Sequence, residues 1–184
     1  MKAFISGGCK NGKSYLAARL VSALDGPHYY IATMIPSDDE DGERIIRHRR
    51  EREGLGFVTV ELPRDIDRLP ANCDPDGSFL LDSATALLAN EMFSGGGYDA
   101  DARVKVCRDV LALIGKVRNI VVVSDNIYSD AFIYDEMTEN YRRSLGCVDR
   151  AAAGACDAVI EATFGGVMIH RDTGGFAGIY EKII

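Results

Sequence analysis

Tryptophan is missing from this 184-residue chain, and cysteine is sparse and unpaired in pattern. Cys9, Cys73, Cys107, Cys147 and Cys156 form no CxxC pair, and none has a histidine at metal-ligand spacing. A disulfide framework and a zinc site are therefore poorly supported. Buried or inert thiols in a reducing cytosol are expected instead. No run approaches the ~20 apolar residues that a membrane span requires. There is no excess of cationic residues: 21 Lys and Arg face 28 Asp and Glu, a net charge of -7. That balance argues against a broad nucleic-acid footprint. Internal repeats and low-complexity tracts are also lacking. A cleavable leader would remove the motif that begins at Gly7, so none is expected and the expected compartment is the cytoplasm.

What is present is an alternation of apolar runs with helical patterns. Residues 3–6, 29–32, 57–62, 79–81, 120–123 and 159–164 read as strands. Helices are expected over 13–24, from Pro36-Ser37 to about 53, over 84–93 and 101–117, and over most of 134–156. Asp38, Asp39, Glu40 and Asp41 crowd the first turn of the second helix, where the macrodipole favours negative charge. An interruption is expected near Gly146, and a flexible loop over Ser94 to Gly97. Residues 167–170 and 178–183 flank Asp172-Thr173-Gly174-Gly175 and predict a terminal hairpin. The length fits one domain over residues 1–184. The expected fold is α/β: a mostly parallel sheet covered on both faces by helices, with a C-terminal antiparallel hairpin. Ligands on such sheets sit at the carboxyl ends of the strands.

Gly7-Gly8-Cys9-Lys10-Asn11-Gly12-Lys13-Ser14 fits G-x-x-x-x-G-K-[ST], a P-loop, with an apolar strand before it and an amphipathic helix after it. The glycines let backbone N–H groups converge on phosphate oxygens. The helix N-terminus points at the same anion. Lys13 is expected to reach the outer phosphates of GTP or ATP, and Ser14 to ligate Mg²⁺. Asp82 ends the strand Phe79-Leu80-Leu81, where a P-loop fold places the carboxylate that holds Mg²⁺. Capping of the helix that starts near Ala84 is a second reading of the same residue. Asp125, at the end of another strand, is a weaker metal candidate for which a helix or turn cap serves equally.

The segment Arg44-Ile45-Ile46-Arg47-His48-Arg49-Arg50-Glu51-Arg52 is unusual in an acidic chain. Helical spacing puts Arg44 and Arg52 on the face of His48. Nearby cations disfavour imidazolium and would clamp a polyphosphate. A neutral imidazole there could form a phosphoramidate. A charge run ordinarily marks a solvated face, and on the residues alone that reading stands beside the catalytic one. His28 and His170 lack such surroundings and are expected to be structural.

Four stretches together resemble the bifunctional adenosylcobinamide kinase/adenosylcobinamide-phosphate guanylyltransferase family. They are Ile5 to Ser14, Tyr30-Ile31-Ala32-Thr33, Arg44-Ile45-x-x-His48-Arg49-x-x-Arg52, and Thr59-x-Glu61. The resemblance implies a P-loop α/β fold, a homotrimer and a corrinoid substrate. It implies two reactions: phosphorylation of adenosylcobinamide, then transfer of GMP from GTP through His48 to the new phosphate. It also carries nucleotide contacts to Arg44, Arg49 and Arg52. Thr85 and Asn90 fit the family's pattern. Asp82-Ser83 replaces the usual Glu-Cys, Ser124-Asp125-Asn126-Ile127 replaces Asn-Glu-Val-Gly, and Asp149-Arg150 replaces Asn-Gln. Two other readings share the cradle. One is a P-loop kinase of another small metabolite without a covalent intermediate. The other is a non-catalytic nucleotide-binding protein, for which no N-K-x-D guanine motif is found. Only the corrinoid reading needs the His48 cluster.

Overall fold

The computed structural model describes residues 1–36 and 39–183, leaving out the side chains of Glu40, Asp41 and Arg44. Seven strands form one sheet: β1 (Lys2–Gly7), β2 (His28–Ala32), β3 (Phe57–Glu61), β4 (Ser78–Asp82), β5 (Asn119–Asp125), β6 (Ala158–Thr163) and β7 (Gly166–Asp172). Their order is β3-β2-β4-β5-β1-β6-β7. The first six are parallel, and β7 returns antiparallel to β6. Among the described residues the six α-helices are α1 (Lys13–Ser22), α2 (Asp39–Glu51), α3 (Ala84–Met92), α4 (Ala102–Lys116), α5 (Glu136–Ala155) and α6 (Phe176–Ile183).

The central strands are apolar throughout because helices cover both faces. Successive side chains alternate between those faces. Phe4, Phe79, Leu81, Ile120 and Val122 join the core under α3, α4 and α5. Ala3, Ile5, Leu80, Val121 and Val123 join the core with α1 and α6. Fully burying one such Leu, Ile or Phe side chain contributes about 1.5–3 kcal/mol. Register then aligns the carboxyl ends: Gly7 pairs with Asp125 and Ala162, and Ala32 pairs with Glu61 and Asp82. Sequence-distant polar residues are thereby collected at one edge.

The expected fold class holds, with corrections at its C-terminus. The hairpin is β6–β7, turning through Phe164 and Gly165, both at positive φ (47° and 80°). Residues 178–183 are helix rather than strand. The Asp172 carboxylate accepts the N–H groups of Gly174, Phe176 and Ala177, which starts α6. Asp172 to Gly175 is therefore a helix entry, not a hairpin turn. Helix α5 runs unbroken through Gly146; one interior glycine costs only about 1 kcal/mol against alanine. Residues 94–96 form a short 3-10 turn where a flexible loop was expected. The expected start of α2 at Ser37, and the acidic charge at Asp38, lie outside the described residues.

Candidate active site

The loop between β1 and α1 curls as the glycine pattern requires. Lys10 and Gly12 take positive φ (57° and 87°), which turns successive N–H groups inward. Gly7 has no room for a side chain: a Cβ would collide with the Asn11 side chain and the Ala162 carbonyl. Asn11 spans this gap, its amide donating 2.5 Å to Ala162 O and its Oδ1 accepting 3.3 Å from Lys13 N–H. The N-cap residue Gly12 has no side chain to cap α1, and Asn11 takes only the Lys13 N–H, which leaves the next N–H groups of the first turn pointing toward a prospective anion. Gly8 lies in this loop and its carbonyl accepts from Lys13 Nζ at 2.8 Å. Lys13 Nζ also pairs with Asp125 Oδ1 at 2.5 Å. Asp125 is therefore the lysine's counter-ion in this structure. Cys9 sits exposed in the loop, while Cys73 and Cys156 are buried.

Asp82, at the tip of β4, joins two groups of residues. Its Oδ2 accepts from Tyr30 Oη at 2.9 Å and lies 3.5 Å from His48 Nδ1. The Ser14 hydroxyl lies near the same carboxylate and favours its ionised form. Burial alone would raise the Asp82 carboxyl. The hydrogen bond and charge of His48, with hydrogen bonds from Tyr30 and Ser14, outweigh it and hold the carboxyl below its ordinary value. The capping role belongs to its neighbour: Ser83 accepts from Ala86 N–H and starts α3.

His48 stands between two cavities. One, of about 280 Å³, is formed by the P-loop, the expected phosphate cradle, and is lined by Lys10, Gly12, Lys13, Ser14, Arg47 and His48. The other, of about 270 Å³, is mostly apolar and is walled by Tyr30, Ala32, Met34, Ile45, Thr59 and Glu61. Arg49 and Arg52 line this second cavity rather than the cradle. Arg49 pairs with Glu61 at 3.4 Å, and the Arg52 guanidinium lies 3.3 Å from the centre of the Tyr30 ring. Among the described arginines of α2, the one lining the cradle is Arg47, whose role sequence reasoning passed over. Its signal was position: it directly precedes His48. The Arg44 side chain lies outside the described residues. Thus the structure brings together His48, Lys13, Ser14 and Asp82, and sets Arg49 and Arg52 on the far side of the histidine.

Behind the site, Thr85 and Asn90 act as braces. Thr85 Oγ1 accepts from Asp125 N–H, and Asn90 donates to the carbonyls of Thr33 and Pro63. Asp149 is buried and accepts from Tyr128 Oη at 2.9 Å. Burial, together with the charge of Asp125, raises its carboxyl to about 6 although Ser124 and Tyr128 oppose the shift. His28 bridges the carbonyls of Leu24 and Leu55, and His170 pairs with Glu161, both away from the cradle.

Among solved structures, a protein of Pyrococcus horikoshii OT3 matches with a TM-score of 0.56 at 8% identity, over 94% of this chain and 86% of that one. At that identity the likeness concerns the fold alone. Among curated proteins, the bifunctional adenosylcobalamin biosynthesis protein CobU of Salmonella typhimurium is 27% identical, over 86% of this chain and 93% of that protein. The corresponding CobP of Pseudomonas aeruginosa is 29% identical, over 86% and 91%. The family model for cobinamide kinase/cobinamide phosphate guanyltransferase matches residues 3–169. The chain thus belongs to the cobinamide kinase/cobinamide phosphate guanyltransferase family.

Proposed function

We propose that this protein is a transferase of cobalamin biosynthesis that carries out two reactions. It phosphorylates the aminopropanol hydroxyl of adenosylcobinamide, and it transfers GMP from GTP to the resulting phosphate through guanylyl-His48. The observation that carries this reading is the position of His48, between a phosphate cradle and an apolar cavity, with Asp82 on its Nδ1.

A histidine whose Nδ1 faces a carboxylate presents Nε2 as the nucleophile. With GTP in place, Nε2 bonds to the α-phosphorus while the α–β bridging P–O bond breaks and pyrophosphate leaves. An oxygen of the corrinoid phosphate then bonds to the same phosphorus, the P–N bond breaks, and His48 is restored. Lys13 and Arg47 offset the charge gathering on the phosphates, and the backbone N–H groups of the loop fix their positions. Glu61 offers acceptor oxygens within the apolar cavity, which suit the N–H edge of guanine.

In the kinase reaction the corrinoid hydroxyl oxygen bonds to the γ-phosphorus and gives up its proton to water, the β–γ bridge breaks, and a nucleoside diphosphate departs. Lys13 leaves Asp125 to follow the phosphates. Ser14 and Asp82, a hydroxyl and a carboxylate near one another, are a fitting donor set for Mg²⁺. Bound there, the ion would neutralise phosphate charge. A single domain, a homotrimeric assembly and a cytoplasmic location belong to the same proposal. Among the described residues no helix is long and apolar enough to cross a membrane.

Incubation with Mg²⁺ and α-labelled GTP tests the reading. Acid-labile label on the chain, absent with γ-labelled GTP and in His48→Ala, is the expected result. Binding of GTP without label on the protein would favour a simple P-loop kinase.

A further inference from the structure

A third cavity meets the phosphate cradle from the side opposite His48. It has a volume of about 300 Å³ and lies between α1, the β6–β7 hairpin and α6. Tyr15, Leu16, Arg19, Val167, Tyr180 and Ile183 line it. Asn11, Gly12 and Tyr15 border both this cavity and the cradle, so the two spaces share a wall of P-loop residues. His48 borders the cradle and the first apolar cavity but not this one. We infer that this cavity holds the nucleobase of the phosphoryl donor, and that the guanine consumed in guanylyl transfer occupies the cavity beyond His48.

The inference rests on the two-reaction reading and adds what decides between the reactions. A triphosphate seated in one cradle can lead its nucleoside away in two directions. Toward Tyr30 and Glu61, the chain of phosphates passes the imidazole, and the α-phosphorus comes within reach of attack. Toward Tyr15 and Val167, the route leads away from His48, which does not line that cavity. Only the terminal phosphoryl group is then delivered toward Lys13 and Asp125. The side of entry, and not a second cradle, selects which phosphorus reacts.

The chemistry of the walls fits a flat heterocycle. Tyr15 is half exposed beside the cradle, and the Arg19 guanidinium sits 5.9 Å from its ring centre. Tyr180 is fixed by stacking on buried Phe176 at 5.6 Å and 13°. Aromatic faces, a guanidinium plane and the Val167 side chain offer stacking surface for a base. The cavity's size lies at the lower bound for small-molecule sites, suited to a base rather than a corrin ring.

The test uses the full chain with Mg²⁺ and two photoprobes, 2-azidoadenosine triphosphate and 8-azidoguanosine triphosphate, followed by peptide mapping. Cross-links to peptides carrying Tyr15, Val167 or Tyr180 are expected, and unlabelled triphosphate should suppress them. The guanosine probe should also mark the segment around Thr59. Val167→Trp, which fills the cavity, should remove the first set of cross-links and raise the KM for the phosphoryl donor more than tenfold. It should leave the GTP dependence of His48 labelling within twofold, while Val167→Ala behaves as wild type. Cross-links confined to α2 and β3, no competed cross-link at all, or equal loss of both reactions in Val167→Trp would overturn the inference. Cross-links at Val167 or Tyr180 without any label on His48 would uphold this site and sink the guanylyl-histidine reading instead.

Discussion

Nδ1 of His48 lies 3.5 Å from Oδ2 of Asp82, although the two come from a surface helix and a buried strand. That contact commits one imidazole nitrogen and leaves the other to react. Guanylylated protein carrying ¹⁵N-histidine should therefore show ³¹P–¹⁵N coupling at Nε2. Coupling at Nδ1 would refute the orientation, since the Asp82 contact would have to break first.

The Lys13–Asp125 pair supports a prediction about stability without nucleotide. Both side chains are nearly buried, at 5% and 12% exposure. Removing one partner of such a pair leaves an uncompensated charge, which costs about 3–5 kcal/mol. Lys13→Met should lower stability by roughly that amount in urea melts, and Asp125→Asn added to it should recover most of the loss. Kinase activity should be absent from both. A Lys13→Met protein as stable as wild type would show that the pair is not held in the free protein.

Gly7→Ala tests the tightness of the loop. The new methyl would meet the Ala162 carbonyl, a backbone group of β6 that cannot swing away. Overpacking of this kind costs about 1–3 kcal/mol. The Asn11 bridge should also be lost, and with it most affinity for a non-hydrolysable GTP analogue in calorimetry. Unchanged affinity would mean that the cradle forms without the bridge.

Asp149 gives a pH signature. Its folded carboxyl titrates at about 6 against an ordinary 3.8, so the folded protein holds this proton more tightly than the unfolded chain. The stabilisation is fully present below about pH 4 and fades as pH rises through 6. Asp149→Asn keeps an acceptor for Tyr128 and removes the buried charge. It should stabilise the protein at pH 7.5, on the order of 3 kcal/mol, and change little at pH 4. Paired denaturation curves at the two pH values check this; an equal effect at both would point to packing instead.

The parts of the site that were legible in the sequence are local ones. The P-loop announces itself because strand, glycines and helix are consecutive, and Asp82 because it follows an apolar run. The meeting of Asp82 with His48 and Tyr30 depends on β2 pairing with β4, which no local pattern encodes. The roles of Arg47 and Arg49 were blurred because in a run of arginines the facing of each is settled by packing. Residues 178–183 looked like strand for a related reason. Asp172 can serve a turn or a helix entry equally, and only its three accepted N–H bonds decide. The true hairpin turn went unseen because Phe164, a bulky residue, occupies a positive φ that the sequence rules assign to glycine or asparagine.

Asp82 lies 3.5 Å from His48 and near Ser14, and this has a consequence for descent. Under the two-reaction function proposed above, a lineage that loses that carboxylate should silence the kinase and the guanylyltransferase in one step. Homologues that retain a single activity should therefore still carry the acid and have changed elsewhere, beyond the histidine or across the hairpin, where one reaction can be dismantled without the other.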